Sequence, residues 1–142
     1  IAIESGMRQG EIHSLSEANI DYDKRLITIW RKDKHAEGGK KKAIIPLLKG
    51  VREALVRHQH HFGSSSTLFA VKRAASISDK FAKLCKKAGV EDLHFHDLRH
   101  EAITRMFERG MTVTQVRVVS GHSSLDQLSR YVNLRAEDLV DF

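Results

Sequence analysis

The sequence predicts a mostly α fold with a small antiparallel β-sheet. Apolar residues recur at helical spacing through the segments 47–61, 76–88, 96–109 and 112–120. Two short β-rich runs, LITIW at 26–30 and AIIP at 43–46, flank a charged connection holding Gly38 and Gly39, which reads as an antiparallel hairpin with a long loop. Capping residues separate these pieces.

In chain order, residues 1–5 read as the end of a helix already under way, stopped by Gly6 in left-handed backbone. The chain is therefore expected to be a fragment of a longer protein. A short helix runs from Arg8 to about Leu15, and the hairpin follows, its second strand ended by Pro46, the only proline. From Leu47 to about His61, the residues Leu47, Leu48, Val51, Leu55 and Val56 mark a helix. GSSST at 63–67 is a loop. Ser76 with Asp79 resembles a helix start, leading into an apolar stripe of Phe81, Leu84 and Cys85 closed by Gly89. Beyond His96 the pattern resumes through Leu98, Ile103, Met106 and Phe107 to Gly110. Thr112 with Gln115 then forms a T-x-x-Q capping box ahead of Val113, Val116 and Val119, and Gly121 ends that helix. SSLDQLSRYVN at 123–133 is a further short helix.

A chain of 142 residues is one domain's worth, long enough to bury a core. It contains no apolar run near the roughly 20 residues of a bilayer span and no secretory leader, so no membrane partner is expected. Cys85 stands alone, which excludes an internal disulfide and reads as an intracellular packing residue. A net charge of +6 points to a polyanionic partner. Residues 31–42 hold six Lys or Arg against two acids, and residues 72–87 hold six against one. A single basic run is most simply a solvated face; two runs flanking a titratable motif favour nucleic acid.

That motif is FHDLRH, residues 95–100. His96 and Arg99 stand three apart, so on a helix both side chains lie on one face and can hold one anion. Arg8 in GMRQGE pairs most simply with Glu11 at i+3, and His122 in SGHSS reads most simply as a helix-capping histidine. Their joint order is more informative. Arg8 and Glu11 precede a Lys-rich hairpin, then come His96-x-x-Arg99 and Gly121-His122, and nine residues after His122 stands Tyr131.

This order and spacing, in SGMRQGEIHSL, the hairpin lysines, HDLRH, SGHSS and RY, resembles the tyrosine recombinases, or phage-type integrases, across essentially the whole chain. The resemblance implies that residues 1–142 are a catalytic domain with the DNA breaking-rejoining fold of that family, the usual N-terminal DNA-binding domain lying outside this sequence. It implies site-specific strand exchange on double-stranded DNA, with Tyr131 attacking a phosphodiester to give a 3′-phosphotyrosyl link. Arg8 and Arg99 would clamp the non-bridging oxygens and His122 would bond the same group. His96 would take or shuttle the phenol proton. A hairpin lysine, Lys32 by position with Lys34 as second choice, would protonate the leaving 5′-oxygen. Glu11 would hold Arg8 or its neighbours in place.

The scheme asks for no metal and no cofactor. His58 and His61 share a helix face, but no Cys or carboxylate at ligand spacing accompanies them, and no serine sits in a G-x-S-x-G setting. Lys80, Lys83 and Lys87 fall on one helix face with Lys72 and Arg73 just before it, a surface for phosphates or simply for solvent. His100 is placed as a site neighbour or DNA contact. By resemblance the protein is a monomer in solution and a homotetramer on DNA, exchanging C-terminal segments that would include Leu134, Leu139, Val140 and Phe142, with accessory DNA-bending proteins. It would work in the cytoplasm at the nucleoid. A type IB topoisomerase-like activity and a catalytically silent DNA-binding module are the alternatives.

Overall fold

The computed structural model describes residues 1–62, 68–69, 71–122, 124–129 and 131. Its helices are α1 (Ala2–Ser5), α2 (Gln9–His13), α3 (Lys49–Phe62), α4 (Ala75–Lys87), α5 (Asp97–Glu108), α6 (Val113–Ser120) and α7 (Asp126–Ser129). The strands are β1 (Ile20–Asp21), β2 (Leu26–Lys32) and β3 (Lys40–Pro46), in the antiparallel order β1-β2-β3.

The sheet follows from alternation. Ile27 and Ile29 of β2 point inward and Ile27 lies opposite Ile45 of β3, all three at most 1 % exposed, while Trp30 and Ile44 face outward. Burying each isoleucine contributes roughly 1.5–3 kcal/mol. Both strands run further than their apolar cores, to the Lys32–Lys40 pair, so the charged connection shortens to residues 33–39. The strand β1 was not expected. Only two residues long, it has no period to read; the turn after it is held by the Lys24 amide, which donates to Asp21 Oδ1 at 2.8 Å.

One buried cluster joins α1, α2, the sheet and α3 through Met7, Ile12, Leu15, Ile27, Ile45 and Leu55. A second joins α5, α6 and α7 through Ile103, Met106, Val116, Val119 and Leu128, and Leu48 packs against both. Helix α1 ends as expected at Gly6, whose φ of 63° lets the chain turn against Ala102 and Ile103 of α5. The Thr112 box also forms, with the Thr112 amide donating to Gln115 Oε1 at 2.8 Å and the Gln115 amide to the Thr112 hydroxyl at 3.3 Å.

Two expectations about α4 fail. The helix begins at Ala75, so Ser76 and Asp79 lie inside it and make no cap. Leu84 is 63 % exposed, because Cys85 takes the inward position and Leu84 falls on the rim of an apolar groove also lined by Ile1, Ile3, Phe62 and Phe95. The segment expected to exchange between protomers lies outside the described residues. Among them, no helix is long and apolar enough to cross a membrane.

Candidate active site

Each residue of FHDLRH has a separate task, set by its position at the start of α5. Phe95 meets Phe81 edge to face at 5.6 Å, anchoring the loop on α4. Asp97 accepts from the His94 amide at 2.7 Å, and that bond, more than the nearby His94 ring, holds its carboxyl below the usual range. Leu98 packs on the core. His96 occupies the N-cap position and is exposed; Arg99, one turn on, is only 4 % exposed.

Arg99 is fixed by main-chain carbonyls. One of its terminal nitrogens donates to Gly6 O and the other to Ser120 O at 2.8 Å, joining the turn after α1 to the end of α6. The second nitrogen also lies 3.4 Å from His122 Nε2, and the other ring nitrogen of His122 is 2.7 Å from the Ser120 hydroxyl. The forked guanidinium thus orients the Gly121-His122 turn as well as carrying charge.

Glu11, 4 % exposed, is the carboxylate around which this charge is organised. It accepts from the Arg8 amide at 2.9 Å, capping α2, and lies 3.4 Å from both the Arg8 and the Arg31 guanidinium. Two guanidiniums therefore share one buried carboxylate, whose charge also acts on Arg99. Burial, and then repulsion from Arg8, push the Arg99 pKa down to about 10, with Glu11 opposing. The group stays a cation at neutral pH, at a cost on the order of 3 kcal/mol. An anion bound in the adjoining cleft would offset that cost. The cleft, about 330 Å³, is lined by Arg8, Gln9, Ser78, Phe81, His96 and Arg99.

Tyr131 lies along α5. Its hydroxyl is hydrogen-bonded to His100 Nδ1, and its ring lies near parallel to those of His100 and Phe107, with centroids 6.0 and 6.3 Å away. His96 meets His100 edge to face at 5.0 Å. Partial desolvation beside its neighbours, followed by His100 and Arg99, lowers the His96 pKa, favouring its neutral form.

The fold thus gathers Arg8, Glu11, His96, Arg99, His100, His122 and Tyr131. Lys32, Lys34, Lys72, Arg73, Lys80, Lys83 and Lys87 are all exposed. Sequence reasoning missed Arg31. It donates to Val119 O at 2.6 Å and packs over Gly121, tying the hairpin to the His122 turn. Its signal was present, since Arg31 continues the inward alternation of Ile27 and Ile29. Among the described residues, no group of three or more His, Cys, Asp or Glu side chains is arranged to hold a metal ion.

The chain is 36 % identical to the shufflon-specific DNA recombinase of Escherichia coli over 99 % of its own length, and 29 % identical to tyrosine recombinase XerC of Bifidobacterium longum over 95 %. It spans 35 % and 42 % of those two proteins. Its fold resembles the Tn1549 transposon integrase in complex with circular intermediate DNA, with a TM-score of 0.74 at 19 % identity over 98 % of this chain and 53 % of that one. It also resembles lambda integrase bound to a COC′ core site, with a TM-score of 0.69 at 21 % identity over 95 % and 50 %. With a match to the phage integrase family across residues 1–138, on a fold that gathers the Arg8, His96, Arg99, His122 and Tyr131 constellation, the chain belongs to that family.

Proposed function

We propose that this chain is the catalytic part of a site-specific DNA recombinase that cuts and rejoins strands through Tyr131. The observation that carries the reading is Arg99: a buried cation beside a cleft shared with Arg8 and His96, short of negative charge, with the Tyr131 phenol held further along the same helix. A DNA phosphodiester is the anion such a cleft suits.

In this reading the Tyr131 oxygen attacks phosphorus, the bond to the 5′-oxygen breaks, and a 3′-phosphotyrosyl link forms. A phenol with an ordinary pKa of about 10 attacks well only when a base takes its proton. Arg8 and Arg99 stabilise the charge that grows on the non-bridging oxygens, and His122 adds a hydrogen bond. His96 takes or shuttles the phenol proton. Lys32 returns a proton to the leaving oxygen, with Lys34 as second choice; both belong to the hairpin whose inward residue Arg31 reaches the His122 turn. The covalent link retains the phosphodiester's energy, so rejoining needs no nucleotide. The assembled enzyme is a tetramer on two DNA sites and a monomer when free, working at the cytoplasmic nucleoid with accessory DNA-bending proteins. The apolar groove rimmed by Leu84 supports the exchange of C-terminal segments.

The test is covalent trapping. The full-length protein is incubated with host DNA and denatured, and the ends of protein-linked DNA are sequenced beside a Tyr131→Phe control. Tyrosine-dependent ends at a few discrete sites support the recombinase. Dispersed ends indicate a topoisomerase, and no linked DNA indicates a binding module.

A further inference from the structure

We propose that Arg31 is a positioning residue for Arg8: it holds the Glu11 carboxylate, so that the Arg8 guanidinium is free to take the phosphate. The inference rests on the recombinase reading above and gives a task to a residue which that reading leaves without one.

The buried carboxylate sets the problem. Glu11 is 4 % exposed, and one of its oxygens, Oε2, accepts from the Arg8 main-chain amide at 2.9 Å. The other, Oε1, lies 3.4 Å from both Arg8 Nη1 and Arg31 Nε. A carboxylate this deep is costly without a cation beside it. Were Arg8 its only partner, the charge that the cleft needs at the phosphate would be held inside the protein.

The two arginines are placed differently. The Arg8 side chain is 46 % exposed and lines the cleft with His96 and Arg99, so its guanidinium can turn to an anion there. The Arg31 side chain is 16 % exposed and anchored at its far end, where Nη2 donates to Val119 O at 2.6 Å and the guanidinium lies over Gly121. Its Nε is buried and, among the described residues, makes no hydrogen bond, although it stands beside Glu11 Oε1. Burial lowers the Arg31 pKa, Glu11 raises it and repulsion from Arg8 lowers it again, yet a guanidinium stays charged at neutral pH.

These facts define a hand-over. When the Arg8 side chain turns to the phosphate, Glu11 Oε1 loses one cation, and Arg31 Nε closes on it as a charge-assisted hydrogen bond. The same movement satisfies the buried Nε, which offsets the contact that Arg8 gives up. Because Arg31 is also fixed to Val119 O, Glu11 stays in place and goes on capping α2 while the Arg8 side chain moves.

The test uses the full-length protein and a duplex carrying a site recovered by covalent trapping. A wild-type protein that links to no DNA overturns the recombinase reading before any variant is made. Arg31→Met keeps much of the side-chain bulk but leaves Glu11 to Arg8, and should slow single-turnover cleavage by about 10²-fold. Adding Glu11→Gln removes the charge that retains Arg8 and should recover most of that loss. Cleavage by Arg31→Met at close to the wild-type rate overturns the proposal. So does a loss that Glu11→Gln leaves in place or deepens, because an arginine that merely ties the hairpin to the His122 turn does not depend on the carboxylate's charge. Should Arg31→Met unfold, ¹⁵N-arginine spectra of the Tyr131→Phe protein, which lacks the nucleophile, decide. On titration with the same duplex the Arg31 Nε–H resonance should move downfield and exchange more slowly with water; a resonance that does not move overturns the proposal.

Discussion

Gly121→Ala tests the joint between the hairpin and the His122 turn. Gly121 has φ 68° and ψ 37°, where an L side chain costs about 1–2 kcal/mol. A Cβ there meets Arg31 Nη1 at 2.1 Å and Cζ at 2.2 Å, so the guanidinium has to leave. Leaving breaks its 2.6 Å bond to Val119 O, a charged hydrogen bond worth about 1.5–3 kcal/mol. Gly121→Ala should therefore cost roughly 2.5–5 kcal/mol and Arg31→Ala about 1.5–3. In the Arg31→Ala background the collision is absent, and adding Gly121→Ala should cost only the backbone strain. A double-mutant cycle then shows a coupling of about 1.5–3 kcal/mol. The assay is urea denaturation followed by Trp30, the single tryptophan, which neighbours Arg31 on β2. Additivity within about 0.5 kcal/mol refutes the reasoning, because the two residues would then not share one interaction.

Arg99→Lys should lower covalent DNA trapping by about 10²- to 10³-fold and stability by about 1–3 kcal/mol, because an ammonium cannot bridge the carbonyls of Gly6 and Ser120 while facing the cleft; trapping and denaturation measured on one preparation check both. The His96 pKa lies below 6.5 in the folded chain, so the unfolded chain binds more protons on acidification. Stability should fall as pH drops below about 6.5 toward the lowered folded value, and His96→Asn should flatten that part of a stability-against-pH curve. Replacing Lys80, Lys83 and Lys87 by alanine should reduce the slope of log affinity against log salt by up to about 2.7 if each meets a phosphate; an unchanged slope assigns that face of α4 to solvent.

What was legible in the sequence depended on range. The Thr112–Gln115 box and the left-handed ends at Gly6 and Gly121 could be read because each is decided within a few residues. The hairpin was legible from its isoleucines, though its strands ran on to Lys32 and Lys40, since ladder bonds extend where side chains give no pattern. Leu84 misled because spacing identifies a helix face but not what lies opposite it. The family resemblance could be read from the order of Arg8, His96, Arg99, His122 and Tyr131, which a sequence displays directly, and the family matches residues 1–138.

By itself the sequence determined the helices and hairpin, the family and the residue types available to the site. Only the tertiary structure decided what those residues do to one another. It placed Arg99 under Gly6 and Ser120, set Arg31 over Gly121, put the Glu11 carboxylate between the guanidiniums of Arg8 and Arg31, and brought His100 to the Tyr131 hydroxyl. The reason is physical. Period and capping are local properties of a chain, whereas charge, burial and proton transfer depend on contacts such as Arg99 with Gly6, 93 residues apart in sequence, or His100 with Tyr131, 31 apart.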